Sequence, residues 1–80
     1  GERLTQGDID KIKKEIEYRT LVEEEAIEAV SEARAQGDLS ENFEYYAAKK
    51  DKNKNESRIR YLERMLKNAT VISDESQEAS

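Results

Sequence analysis

Two carboxylates stand three residues apart near the middle of an 80-residue chain, Asp38 and Glu41 in the segment Gln36-Gly37-Asp38-Leu39-Ser40-Glu41-Asn42. Carboxylate oxygens are hard ligands that suit Mg2+, an ion that takes one or two protein carboxylates and leaves the rest of its shell to water and phosphate. At this spacing on a helix, both can share one face. The same spacing also describes ordinary capping. Asp38 is a good N-cap residue, Glu41 would be the acid three positions on, and Ser40 is a competing cap. Both acids also suit the positive end of a helix dipole. Spacing alone favours the cap. The chain has no His and no Cys, which removes imidazole acid–base catalysis, thiolate chemistry and the usual zinc ligand sets. Two carboxylates with no nucleophile beside them do not make a complete enzyme, so any chemistry would be completed inside a partner.

The flanking sequence dictates a stalk. Thr5 reads as an N-cap with Asp8 three residues on, and Leu4 as a staple before it. Ile9, Ile12, Ile16, Arg19, Glu23, Ala26, Val30 and Ala33 follow at alternating steps of three and four, the stripe of a coiled coil. Gly37 is placed to end this helix in a left-handed conformation. A second helix is expected from around Ser40, with the stripe Tyr45, Ala48, Lys52, Asn55, Ile59, Leu62, Leu66 and Ala69. A short turn between two long helices makes them antiparallel. Folded about that turn, Ala33 faces Tyr45, Val30 faces Ala48, Ile16 faces Leu62, Ile12 faces Leu66 and Ile9 faces Ala69. Glu23 falls near Asn55, Lys52 opposite Ala26, and Arg19 opposite Ile59. Val22, Ile27 and Ala29 flank the seam and would widen it. The expected fold class is all-α: a long antiparallel helical hairpin over residues 1–72, about 45 Å long at 1.5 Å per residue, with a short acidic tip turn. Val71-Ile72 reads as a short apolar end. Residues 73–80 form a polar tail, where a linker to a further C-terminal domain is expected to begin.

Composition agrees with a rod. Charged residues are 41% of the chain and hydrophobic ones 35%, with three glycines and no proline. A narrow seam needs far fewer apolar residues than a globular core. The net charge of −5 argues against uniform attraction to nucleic acid. The charge is uneven, however. The first helix is mainly acidic. The second carries Lys49, Lys50, Lys52, Lys54, Arg58, Arg60, Arg64 and Lys67, which would pair with Glu23, Glu24, Glu25 and Glu28 across the hairpin or meet phosphates near the tip. Phe43, Tyr45 and Tyr46 crowd the distal end, either as a plug or as a stacking surface for bases. No apolar run approaches membrane-spanning length, so a cytoplasmic protein with no membrane partner is expected.

The segment from Glu32 to Lys50, EARAQGDLSENFEYYAAKK, resembles the tip of the bacterial transcript-cleavage factors of the GreA/GreB family. Leu4 to Glu17 resembles the opening of that family's stalk, and Glu56 to Ile72 its second arm. The resemblance implies an antiparallel coiled coil that enters the secondary channel of bacterial RNA polymerase. It also implies that Asp38 and Glu41 match the catalytic tip acids, which help hold a Mg2+ shared with the polymerase while the polymerase cleaves the backtracked 3′ end of its nascent RNA. Asn42, Glu44 and Tyr45 match supporting tip positions, and Arg34 and Lys49 match basic positions that guide RNA. The protein would then stimulate an enzyme without being one, bind no cofactor stably alone, and act as a monomer. The alternative is a regulator or inhibitor that binds the same channel without promoting cleavage. The sequence departs from the family pattern at Glu23-Glu24-Glu25, where an Arg-Pro-type segment is common.

Overall fold

A computed structural model describes residues 3–37 and 41–72. Asp38, Leu39, Ser40 and the 73–80 tail lie outside the described residues. The elements run in the order β1 (Arg3–Thr5), α1 (Gln6–Arg34), α2 (Phe43–Asn68) and β2 (Thr70–Ile72). The two helices pack along their length into a rod with extents of 61 × 19 × 18 Å.

α1 starts where the sequence places it. The Thr5 hydroxyl accepts from the Asp8 amide at 3.0 Å, and the Thr5 amide donates to the Asp8 carboxylate at 3.2 Å. This reciprocal box satisfies two backbone donors that a helix start would otherwise leave open. α1 ends at Arg34, and Gly37 two residues past the Ala35 cap has φ +120°, a conformation in which a side chain would be strained.

Every residue of both expected stripes is buried or part-buried, so the seam is the one the heptad steps specify. Its apolar core lies at the base. Leu62 is 2% exposed, and Ile9 and Leu4 are buried with it. The flanks correct the expectation in part: Val22 is part-buried, but Ile27 and Ala29 are exposed and do not widen the seam.

The middle of the seam is polar. Asn55, only 5% exposed, donates to the Arg19 carbonyl at 2.9 Å and to the Glu23 carboxylate at 3.2 Å, and accepts from the Arg19 guanidinium at 3.2 Å. Glu23 therefore meets Asn55 as the folded stripes require. Arg19 also binds Glu15, which receives Arg58 from α2 at 2.9 Å. Among the described residues this is the ion pair that crosses the hairpin. The expected partners Glu23, Glu24, Glu25 and Glu28 form none among the described residues. Lys52 pairs with Glu56 on its own helix at 2.8 Å. The guanidiniums of Arg58 and Arg19 hold the Glu15 carboxyl down to about 2. Burial in the seam, with the Glu56 carboxyl next, pushes Glu23 up.

The base holds a feature the helical reading did not contain. β1 and β2 pair as a two-stranded parallel sheet, with Arg3 opposite Thr70, Leu4 opposite Val71 and Thr5 opposite Ile72. Leu4 is thus a strand residue as well as the apolar residue before the cap. Parallel strands need a long crossover, and here the entire hairpin is that crossover.

Candidate tip site

The tip is built around Asn42. Its side-chain oxygen accepts from the Tyr45 amide at 2.9 Å, which makes Asn42 the N-cap of α2. Its amide nitrogen donates to the Ala33 carbonyl at 2.6 Å, which also accepts from the Gln36 amide at 3.3 Å as the last turn of α1 tightens. One side chain therefore bonds to both helix ends facing the turn. This corrects the expected start of the second helix. α2 begins at Phe43, and its cap is Asn42, not Asp38 or Ser40. Glu41 consequently precedes the α2 cap, and the expected Asp38–Glu41 box involves a residue outside the described ones.

That shift bears on chemistry. Glu41 is exposed and has no role in starting α2. It lines a shallow groove with Gln36, Asn42, Phe43 and Glu44. Glu44 lies in the first turn of α2, where a carboxylate is favoured by the helix dipole, and it too is exposed. The structure brings Glu41, Asn42 and Glu44 to one side of the tip. Asp38 lies outside the described residues. Among the described residues no group of three potential ligands gathers to hold a metal ion. The described part of the tip thus offers exposed hard oxygens that a metal held elsewhere could share, a donor set that fits Mg2+ with its shell completed by water and phosphate.

The second part of the tip is aromatic and basic. Tyr45 sits on the seam, part-buried, and meets Tyr46 edge to face at 5.4 Å between centroids. The Arg34 guanidinium lies 5.8 Å from the centre of the Tyr45 ring, and the Lys49 ammonium 5.9 Å from it. The plug reading holds for Tyr45. It fails for Phe43 and Tyr46, which are 82% and 51% exposed. Arg34 and Lys49, distant in sequence, are brought to the same ring. Sequence reasoning placed Asn42 only as a motif position. Its capping role was detectable in principle, since Asn ranks with Asp and Ser at N-caps.

The family described as "Transcription elongation factor, N-terminal" matches residues 2–71. The chain is 44% identical over 72 residues to transcription elongation factor GreA of Chloroherpeton thalassium, covering 89% of this chain and 46% of that protein. It is 47% identical over 70 residues to GreA of Brucella anthropi, covering 86% and 45%. It is 49% identical over 70 residues to GreA of Agrobacterium fabrum, covering 86% and 44%. The chain spans just under half the length of the curated relatives it matches.

Proposed function

Since the chain belongs to the GreA/GreB N-terminal family of transcription elongation factors, we propose that it is the stalk that inserts into the secondary channel of bacterial RNA polymerase and stimulates cleavage of backtracked nascent RNA. The observation that carries this reading is the exposure of Glu41 at the tip. The α2 cap is made by Asn42, and among the described residues the Glu41 carboxylate has no ion-pair partner. A rod with a cross-section of 19 × 18 Å suits delivery of such a group into a confined site.

In this reading the polymerase is the enzyme, and the chain acts on it without turnover of its own. Asp38 and Glu41 are the residues that would hold Mg2+ jointly with the polymerase. Bound there, the ion would supply Lewis-acid activation of a water and stabilisation of charge developing on phosphorus. Asn42 fixes the point at which the chain re-enters a helix, and so fixes where Glu41 projects. Glu44 adds negative charge beside it. Arg34 and Lys49 engage the phosphodiester backbone of the RNA 3′ end. Cytoplasmic location and action as a monomer belong to the same proposal. No helix among the described residues is long and apolar enough to cross a membrane.

The test is a titration of the chain into stalled, backtracked bacterial polymerase complexes, reading RNA cleavage and polymerase binding separately. Asp38→Ala and Glu41→Ala should each lose cleavage at least tenfold while binding is retained. Full cleavage by both variants would overturn the proposed role of the tip acids. Binding by the unaltered chain with no cleavage would identify a channel-binding regulator instead.

A further inference from the structure

We propose that Tyr45 is a positioning residue that gathers Arg34 and Lys49 into one cationic pair, a phosphate-reading site for the single-stranded RNA end. The proposal rests on the functional reading above, and goes beyond it in saying what organises the basic half of the tip.

The two cations come from different helices, and Tyr45 is what they share. Arg34 is the last residue of α1. Lys49 lies one turn beyond Tyr45 on α2. A helical side chain leans toward the N-terminal end of its own helix and covers the residue four positions back, so the Lys49 stem is directed over the Tyr45 ring. Both cationic groups come within 6 Å of the ring centre, the range in which a cation is attracted by the ring face. Tyr45 is itself held firmly. Its amide is bonded to the Asn42 side chain, its ring is part-buried on the seam, and Tyr46 lies edge-on to it.

Among the described residues neither Arg34 nor Lys49 forms an ion pair, and both are exposed. The Arg34 charge also complements the C-terminal end of α1, but that role needs no aromatic ring and gives no reason for Lys49 to converge on the same point. An aromatic ring restrains a cation without neutralising it. A carboxylate in the same place would cancel the charge that a phosphate needs. The arrangement therefore presents two restrained positive charges at the same end of the rod as the acidic groove of Glu41 and Glu44, so that a phosphodiester strand and a metal-sharing carboxylate meet there.

The experiment is the salt dependence of the chain's affinity for backtracked polymerase complexes, compared between variants. For single-stranded nucleic acid, each phosphate that a protein no longer neutralises lowers the slope of log K against log salt by about 0.7. Arg34→Gln with Lys49→Gln should reduce the slope by about 1.4, twice that amount. Tyr45→Leu, which keeps apolar bulk on the seam but has no ring face, should reduce it by a similar amount. Adding Tyr45→Leu to the double variant should change the slope no further. Tyr45→Phe should keep the wild-type slope. A folded Tyr45→Leu variant with an unchanged slope overturns the proposal. The unaltered chain supplies a check that does not depend on a variant folding. The Arg34 δ-methylene and Lys49 ε-methylene proton resonances should be shifted upfield by the ring current, and resonances at ordinary positions would overturn the proposal. Loss of cleavage on Asp38→Ala with no effect of Tyr45→Leu on the slope would leave the functional reading intact and refute only this inference.

Discussion

The base and the tip of the rod are the same coiled coil held by different forces. At the base, Leu62, Ile9 and Leu4 are buried and the strands β1 and β2 clasp the helix ends together. At the tip, the sole buried hydrophobic residue among those described is Ala33, and closure depends on one bifunctional side chain, Asn42, with a tyrosine beneath two cations. Phe43 and Tyr46 remain exposed there. Apolar burial scales with area and has no preferred direction, so it suits a foundation. Hydrogen bonds and cation–ring contacts contribute less but fix orientation, so they suit an end that must present charges at set positions. The polar layer at Asn55 separates the two regimes. A seam with an asparagine bonded across it tolerates fewer alternative registers than a uniformly apolar one.

The sharpest way to break this contrast is at the base. Leu62→Ala should destabilise the hairpin by about 2–5 kcal/mol, the cost of deleting a buried leucine from a packed site, measured by urea unfolding followed by circular dichroism. A loss comparable to that of an exposed substitution would mean that the base is not the foundation. Asn42→Ala should cost about 1 kcal/mol, as the loss of an N-cap does. Hydrogen exchange should show the effect confined to the first turn of α2, with the amides around Leu62 still protected. Equal loss of protection at both ends would erase the distinction.

The smallest effect should come from acid, and it divides by sign. Glu15 is held at about 2 by Arg58 and Arg19, against an ordinary value of 4.5. Its charged form therefore stabilises the hairpin above the ordinary value, and the contribution is lost as pH falls from about 4.5 toward 2. Glu23 is raised, by burial first and then by the Glu56 carboxyl, so its charge is a burden that is relieved as pH falls through its raised value. Thermal unfolding should show a slight gain in stability on mild acidification and a decline below it. Glu23→Gln should remove the gain, and Glu15→Gln should reduce the decline. A monotonic profile unchanged by either variant would contradict both assignments.

Much of the rod was legible from the sequence because heptad spacing is a long signal. Two stripes at steps of three and four leave little choice of buried face, and every residue in them is turned inward. The Thr5–Asp8 box and the left-handed Gly37 are local signals with few competitors. The failures also have physical causes. The three-residue strands are too short to show an alternating pattern, and their pairing joins residues from opposite ends of the sequence. The α2 cap was misplaced because Asp38, Ser40 and Asn42 are all competent caps by residue type, and spacing alone does not choose among them. Cross-helix ion pairs were expected by charge count at Glu23, Glu24, Glu25 and Glu28. The observed pair uses Glu15, whose place beside the seam, not its charge, brings it to Arg58. In the candidate site, residue types and spacing gave Glu41 and Asn42 as motif members but not the division of labour between them.

The strand clasp has a consequence for how the chain reaches this shape. Its two segments lie nearly a full chain length apart, so pairing them from an open coil would close the largest loop the molecule contains. The entropic cost of closure grows with loop length, and contacts near the turn enclose far fewer residues. Assembly is therefore expected to start at the turn and zip toward the base, with β1 and β2 meeting last. The most durable part of the finished rod would then be the last part made, and the tip, held by its own local bonds, would already be in place while the ends are still free.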